Sequence, residues 1–184
     1  MLRAQAEFDL AIRLREGKAT IGEAYAFISG LYFRGKIEYS RAFAAAPEGL
    51  PPALVIVPGL GLLSPDTLFD ARRLRKVGSV AVEETNNLFR DPLIRDAVSL
   101  NDRGGPHCQY LLLGSIATPK YTEPLVEIFG ERLLFPAEFV GRGDMSRGGL
   151  MLRRAQSGEE LSYVAVKGAI RHGRRPPKLD ARRA

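Results

Sequence analysis

The chain has 184 residues, 45% of them apolar and 26% charged, with two histidines, one cysteine and a net charge of +6. That length suits a domain with a substantial core. No apolar run approaches the ~20 residues of a bilayer span, and Met1–Glu7 leads into charged helix-like sequence rather than a leader core, so a cytoplasmic protein without membrane contact is expected. The lone Cys108 excludes an internal disulfide, and Cys108, His107 and His172 lack the spacings of zinc sites, so no metal site is expected.

In chain order, residues 4–16 read as a short amphipathic helix ending at Gly17. Thr20 and Glu23 form a capping box for a second helix that buries Ile21, Ala24, Tyr25, Phe27 and Ile28. Gly30 and Gly35 interrupt it, and a third helical run spans Lys36 to Ala46. Residues 47–52 form a linker. The β-branched run 54–57 reads as a strand buried on both faces, ending in the glycine-bearing loop 58–66. Residues 67–82 are ambiguous. Asp91-Pro92 opens another helix, and 101–106 turns the chain. Residues 110–114 form a second buried strand, leading through 115–120 into a helix that Gly130 ends. Residues 132–135 form a third strand, closed by Pro136. Leu150–Arg153 and Leu161–Val166 read as two further strands, paired antiparallel at one edge.

Strands alternating with helices imply an α/β fold. The expected architecture is a single domain over residues 1–170, with a mostly parallel central sheet flanked by helices and antiparallel edge strands near the C-terminus. Residues 54–57, 111–113 and 132–135 should be its central strands.

The charge is unevenly placed. Residues 171–184 hold six cations, Arg171, Arg174, Arg175, Lys178, Arg182 and Arg183, against Asp180. This tail thus carries +5, and the other 170 residues only +1. A basic tail is an ordinary solvated terminus, or an arm drawn to phosphate backbones by electrostatics. Alternatively, residues 171–174 fold back toward the glycine-rich segment described next.

Residues 139–149 contain four glycines, two arginines, a serine and an aspartate. Glycine backbone admits close approach of a ligand, and arginine forks suit phosphate or carboxylate. Arg142, Gly143, Ser146, Arg147 and Gly148 are therefore candidate phosphate ligands, and Asp144 and Glu138 candidate acids or bases. The segment is neither a P-loop nor a dinucleotide fingerprint. A second candidate is the strand-to-helix turn at 114–120, where Ser115, Thr118 and Lys120 surround a helix N-terminus suited to phosphate. The turn Ser64-Pro65-Asp66 reads as structural.

The aromatic helix Tyr25–Phe33, the strand 54–57 with its Gly-Leu-Leu-Ser-Pro-Asp segment at 61–66, and the strand 111–113 with its helix resemble the layout of bacterial peroxide-stress DNA-binding proteins and related small α/β domains. The resemblance covers roughly residues 22–135. It departs at the start, where no early strand with a cysteine-lysine turn is present, and at 141–149, which is additional. It implies a compact α/β fold with affinity for nucleotides or nucleic acid, and it assigns no catalytic residue.

Three functions follow as expectations. The first is a protein binding a nucleotide or nucleic-acid phosphate over the strand ends, at 114–120 and 141–149. The second is a nucleoside or nucleotide hydrolase, N-glycoside-cleaving or phosphoryl-handling, using Asp144 or Glu138. The third is a non-catalytic partner-binding domain.

Overall fold

The computed structural model describes residues 1–170 except Ala4, together with Gly173, Arg174, Pro176, Pro177 and Leu179. The capping box predicted at Thr20 is formed: the Glu23 amide donates to Thr20 Oγ1 and the Thr20 amide to Glu23 Oε2. It starts a helix, α2 (Ile21–Phe43), that follows α1 (Asp9–Arg15) and the two-residue strand β1 (Ala19–Thr20). The two helical runs expected here meet at Gly30, whose φ of 56° is open to glycine alone at low cost, and Gly35 does not interrupt the second.

Among the described residues the expected mostly parallel central sheet is not seen. The strands form three small sheets of two, two and three members. The β-branched run becomes β2 (Val55–Val57), but it pairs antiparallel with β3 (Gly61–Leu63), with Val57 opposite Gly61. A parallel neighbour needs a crossover of a dozen or more residues. Here Gly59 and Gly61, with φ of 76° and 89°, reverse the chain at once. The glycine loop expected at a strand's ligand-binding end is therefore a hairpin. The ambiguous stretch resolves into β4 (Leu68–Phe69), paired with β1, and α3 (Ala71–Gly78), capped by Asp70 accepting from the Arg73 amide at 2.7 Å.

Helix α4 (Asn87–Gly104) starts earlier than expected. Asn86 caps it through the Leu88 amide, and Pro92 lies inside it rather than at its first turn. The three-stranded sheet carries what parallel pairing there is. Strand β5 (Tyr110–Leu111) runs parallel to the central β6 (Leu133–Pro136), through α5 (Pro119–Phe129) and a 3₁₀ turn, Gly130–Arg132. Strand β7 (Tyr163–Ala165) closes its other side antiparallel. Of the three expected central strands only 132–135 is central: 111–113 contributes the exposed Leu111 to the two-residue edge strand β5, and 54–57 belongs to another sheet.

The strand expected at 150–153 is also absent. Residues there belong to α6 (Asp144–Ser157), which Gly143 begins and Gly158 ends in the left-handed region. β7 therefore pairs with β6 instead. The physical reason is helical burial: Gly148 and Met151 are buried three residues apart, facing α2. The tertiary contact outweighs the poor helix propensity of two adjacent glycines.

Three apolar clusters hold these elements. Leu14, Ile21, Val57, Phe69 and Leu74 join α1, α2, β2, β4 and α3. Phe89, Leu93, Phe129, Leu133 and Phe135 join α4, α5 and β6. Tyr32, Tyr39, Met151 and Leu161 join α2 to α6 and the segment before β7. In this last cluster Tyr39 is buried, accepts the Leu161 amide at 2.8 Å, and shares a hydrogen bond with the Tyr163 hydroxyl, which donates to Glu160 at 2.9 Å. Burial pushes both phenols to higher pKa, so they stay neutral donors and acceptors. Tyr39→Phe leaves the Leu161 amide without its acceptor. It should cost roughly 1–2 kcal/mol in urea unfolding, and an unchanged midpoint would show that the hydroxyl is not holding α2 to β7.

Candidate functional site

Tyr25 before the bend of α2 at Gly30, and Tyr32, Phe33 and Lys36 after it, form one wall that faces the same space. That space is a cleft of about 1060 Å³. Residues 107–115, which carry β5 and its following turn, form another wall, and Tyr121, Leu125 and Phe129 of α5 also line it. The Tyr32 hydroxyl donates to the Leu113 carbonyl at 3.2 Å and ties the two walls together.

Lys36 is the chemically unusual group in this cleft. Its ammonium lies 4.1 Å from the Tyr32 ring centroid and 6.0 Å from that of Phe33. Among the described residues no hydrogen bond or ion pair reaches it. Burial pushes its pKa down to about 8, while the Asp144 carboxylate pulls it back up and Arg147 lowers it further. An ammonium held by ring faces alone still has all three donors free. Asp144 lies on the cleft margin as the first residue of α6, with its side chain 69% exposed and Arg147 at 3.8 Å. No side chain caps that helix end. Its first amides, which have no acceptor within the helix, therefore lie beside the same margin.

Of the residues singled out from sequence, the cleft brings together Asp144 and Ser115. Ser115 Oγ accepts the Ala117 amide at 3.3 Å. Thr118 is exposed at the start of α5, and Lys120 lies 5.3 Å from the Tyr121 ring, both off the lining.

The glycine-rich segment is not an open loop. Gly148 is buried in the crossing of α2 and α6: a Cβ there would lie 2.7 Å from the Leu31 carbonyl and the Tyr32 Cα. Gly143 and Ser146 stand in the first turn of α6, where Ser146 Oγ accepts from Arg142 at 3.2 Å. Arg142 also donates to the Glu138 carbonyl at 3.0 Å. Arg147 directs two N–H groups at the Phe139 carbonyl, at 3.2 and 3.1 Å, lies over the Phe139 ring and is only 15% exposed. Glu138 Oε1 accepts the Ser162 amide at 3.1 Å, while its buried Oε2 has no partner among the described residues.

These contacts give Arg147 a large structural share. Arg147→Ala should lower stability by roughly 1.5–3 kcal/mol, the usual cost of losing hydrogen bonds made by a charged donor. Thermal unfolding measures this directly, and an unmoved midpoint would free Arg147 for a ligand-binding role.

In the tail, Arg171, Arg175 and Lys178 lie outside the described residues. Arg174 is exposed, but its carbonyl sits against Gly141, and Gly173 packs on Val140. Arg142 donates to the Pro177 carbonyl at 3.4 Å, and Leu179 packs on the third apolar cluster. The described part of the tail therefore folds back over the start of α6.

Sequence reasoning did not single out Lys36, Tyr32 or Tyr121 as site residues. The available signal was a lone cation on an otherwise aromatic helical face, four residues beyond Tyr32. No protein-family model matches this chain, and no match is found among the curated proteins or the solved structures.

Proposed function

We propose that the cleft under α2 binds a nucleotide, its base against the ring faces and its phosphate toward Lys36. The observation that carries this reading is the unpartnered Lys36 ammonium in an aromatic cleft. A nucleotide supplies a planar apolar surface and an anion in one molecule, matching stacking walls and a free cation. The uncapped start of α6 supports the same end of the cleft for phosphate, since free amides and the helix dipole both favour an anion there. A cytoplasmic location, where nucleotides are abundant, fits this reading.

Calorimetric titration with a nucleoside, its monophosphate, inorganic phosphate and a short single-stranded oligonucleotide tests it. The monophosphate should bind more tightly than either the nucleoside or phosphate alone, and equal or absent binding of all four sinks the reading. Tighter binding of the oligonucleotide would identify the ligand as a nucleotide unit within a strand.

A second reading, a hydrolase acting on the same ligand, is favoured by Asp144. Its exposed carboxylate stands at the cleft margin within electrostatic range of Lys36, as a general base that activates water requires. Glu138 is the weaker candidate, because its carboxylate accepts the Ser162 amide away from the cleft lining. Base or phosphate release that disappears in Asp144→Asn, with ligand binding retained, separates the enzyme from the binding protein.

A further inference from the structure

A second concave site lies away from the cleft, between residues 1–3, the C-terminal end of α1 and the first turns of α3. It encloses about 370 Å³ and is lined by Arg3, Arg15, Arg72 and Arg75, with Asp70 as its one carboxylate. The lining therefore carries a net charge of +3. Asp70 is already engaged as the α3 cap, accepting the Arg73 amide. Elsewhere Arg13 pairs with Asp9 and Glu23, Arg41 with Glu38, and Arg95 with Asp96, while the exposed Arg34, Arg73 and Arg103 have no ion pair among the described residues. None of the four arginines of this notch has an ion pair among the described residues.

Their placement divides into two fixed and two free groups. Arg15 donates to the Ala6 carbonyl at 2.7 Å and Arg75 to the Leu2 carbonyl at 2.9 Å. One N–H of each is thereby anchored, and the remaining donors of each fork stay available. The side chains of Arg3 and Arg72 make no hydrogen bond among the described residues. The neighbouring Arg73 is turned away, stacked 4.4 Å from the Phe69 ring centroid and bonded to the Leu68 carbonyl. Helix α3 contains four cations and no acid, so nothing in it offsets the cluster.

Converging guanidinium groups repel one another unless an anion joins them. A carboxylate would offset one of the three excess charges, whereas a phosphate or diphosphate offsets two or more and accepts paired N–H bonds from each fork. We infer that this notch is a second anion site, taking a phosphate or diphosphate group between Arg15 and Arg75, with Arg3 and Arg72 closing on it.

The phosphate has two sources, a free diphosphate or the backbone of a polynucleotide, and the test distinguishes them. Inorganic pyrophosphate and a short single-stranded oligonucleotide are titrated at low salt against the full chain, the Arg3→Gln/Arg72→Gln double variant, an Arg41→Gln control and Lys36→Met. Circular dichroism melts confirm that each variant is folded, which is expected because the Arg3 and Arg72 side chains make no hydrogen bond or ion pair among the described residues. The double variant should bind pyrophosphate about tenfold or more weakly, as loss of two charged hydrogen-bond donors implies, while Arg41→Gln binds as the wild type does. If the source is a polynucleotide, the oligonucleotide binds as well, and its log K against log salt slope falls by roughly 1.4 in the double variant, about 0.7 for each lost single-strand contact. If the source is free diphosphate, that slope is unchanged. The inference is overturned if pyrophosphate fails to bind at millimolar concentration, if the double variant binds it as tightly as the wild type, or if Lys36→Met alone removes binding, which would move the anion to the cleft.

Discussion

Lys36→Met should make the protein more stable at neutral pH while removing nucleotide binding in the cleft. The ammonium of Lys36 is held at a pKa of about 8 by burial, against 10.5 for an exposed lysine. The unfolded chain therefore holds this proton more tightly than the folded one. Below about pH 8 both states are charged, and the folded state bears the full cost of an ammonium in the cleft. Between about 8 and 10.5 the folded state releases its proton first, so the cost fades and stability rises with pH. Methionine has similar length and no charge. At neutral pH it should gain roughly 1–3 kcal/mol, and the rise of stability across that pH window should disappear. Binding of a nucleotide by the wild type should weaken over the same window, as the ammonium is lost. Chemical denaturation and calorimetry from neutral to alkaline pH measure both effects. A less stable Lys36→Met, or an unaltered pH profile, would show that the ammonium is satisfied where it stands. A destabilised group kept in a cleft is the pattern of a site in which stability is traded for function.

Gly148→Ala is the second large effect, and two principles predict opposite signs for it. In an exposed helix, alanine in place of glycine gains about 1 kcal/mol. At position 148 the added methyl would lie 2.7 Å from the Leu31 carbonyl and the Tyr32 Cα. On the facing helix, a Cβ on Gly35 would meet the Gly148 carbonyl at 2.7 Å. These are backbone atoms, so no side chain can rotate aside and the helices must separate. Overpacking of that kind should outweigh propensity and destabilise the protein by about 2–4 kcal/mol. Gly149→Ala is the internal control, because among the described residues its methyl would meet only the end of Leu179, at 3.5 Å. It should be neutral or mildly stabilising. Parallel melting curves decide the matter, and equal behaviour of the two variants would refute the close crossing. Since α2 and α6 carry Lys36 and Asp144, Gly148→Ala should also weaken ligand binding.

The crossing changes what the glycine-rich segment means. Read along the chain, four glycines interleaved with arginines suggest backbone laid open to a ligand. In space, Gly148 admits another helix, and the Arg142 and Arg147 guanidinium groups reach the carbonyls of Glu138 and Phe139. Close approach of backbone is the correct inference in both cases. What approaches is decided by the tertiary structure.

Local chemistry was enough to place several elements. Thr20 and Glu23 satisfy each other's amides within four residues, so the start of α2 is written in its own sequence. Gly130 ends α5 for the same kind of local reason, since its φ of 57° strains any residue with a side chain. The run 133–136 is a buried strand, as its apolar character implies. Partner choice, by contrast, depends on elements far apart in the chain. Val55–Val57 reads as the buried strand of a large sheet, yet two positive-φ glycines fold it onto its own neighbour. Leu150–Arg153 reads as a strand, yet contact with α2 makes it part of a helix. The site follows the same division. Asp144 and Ser115 were identifiable as polar groups beside glycine-rich turns. Lys36 was not, because on the chain it is an ordinary helical lysine. It becomes unusual only when residues 107–115 and α5 line the cleft with the aromatic face on which it stands, partly burying the ammonium while supplying ring faces and, among the described residues, no hydrogen bond or ion pair.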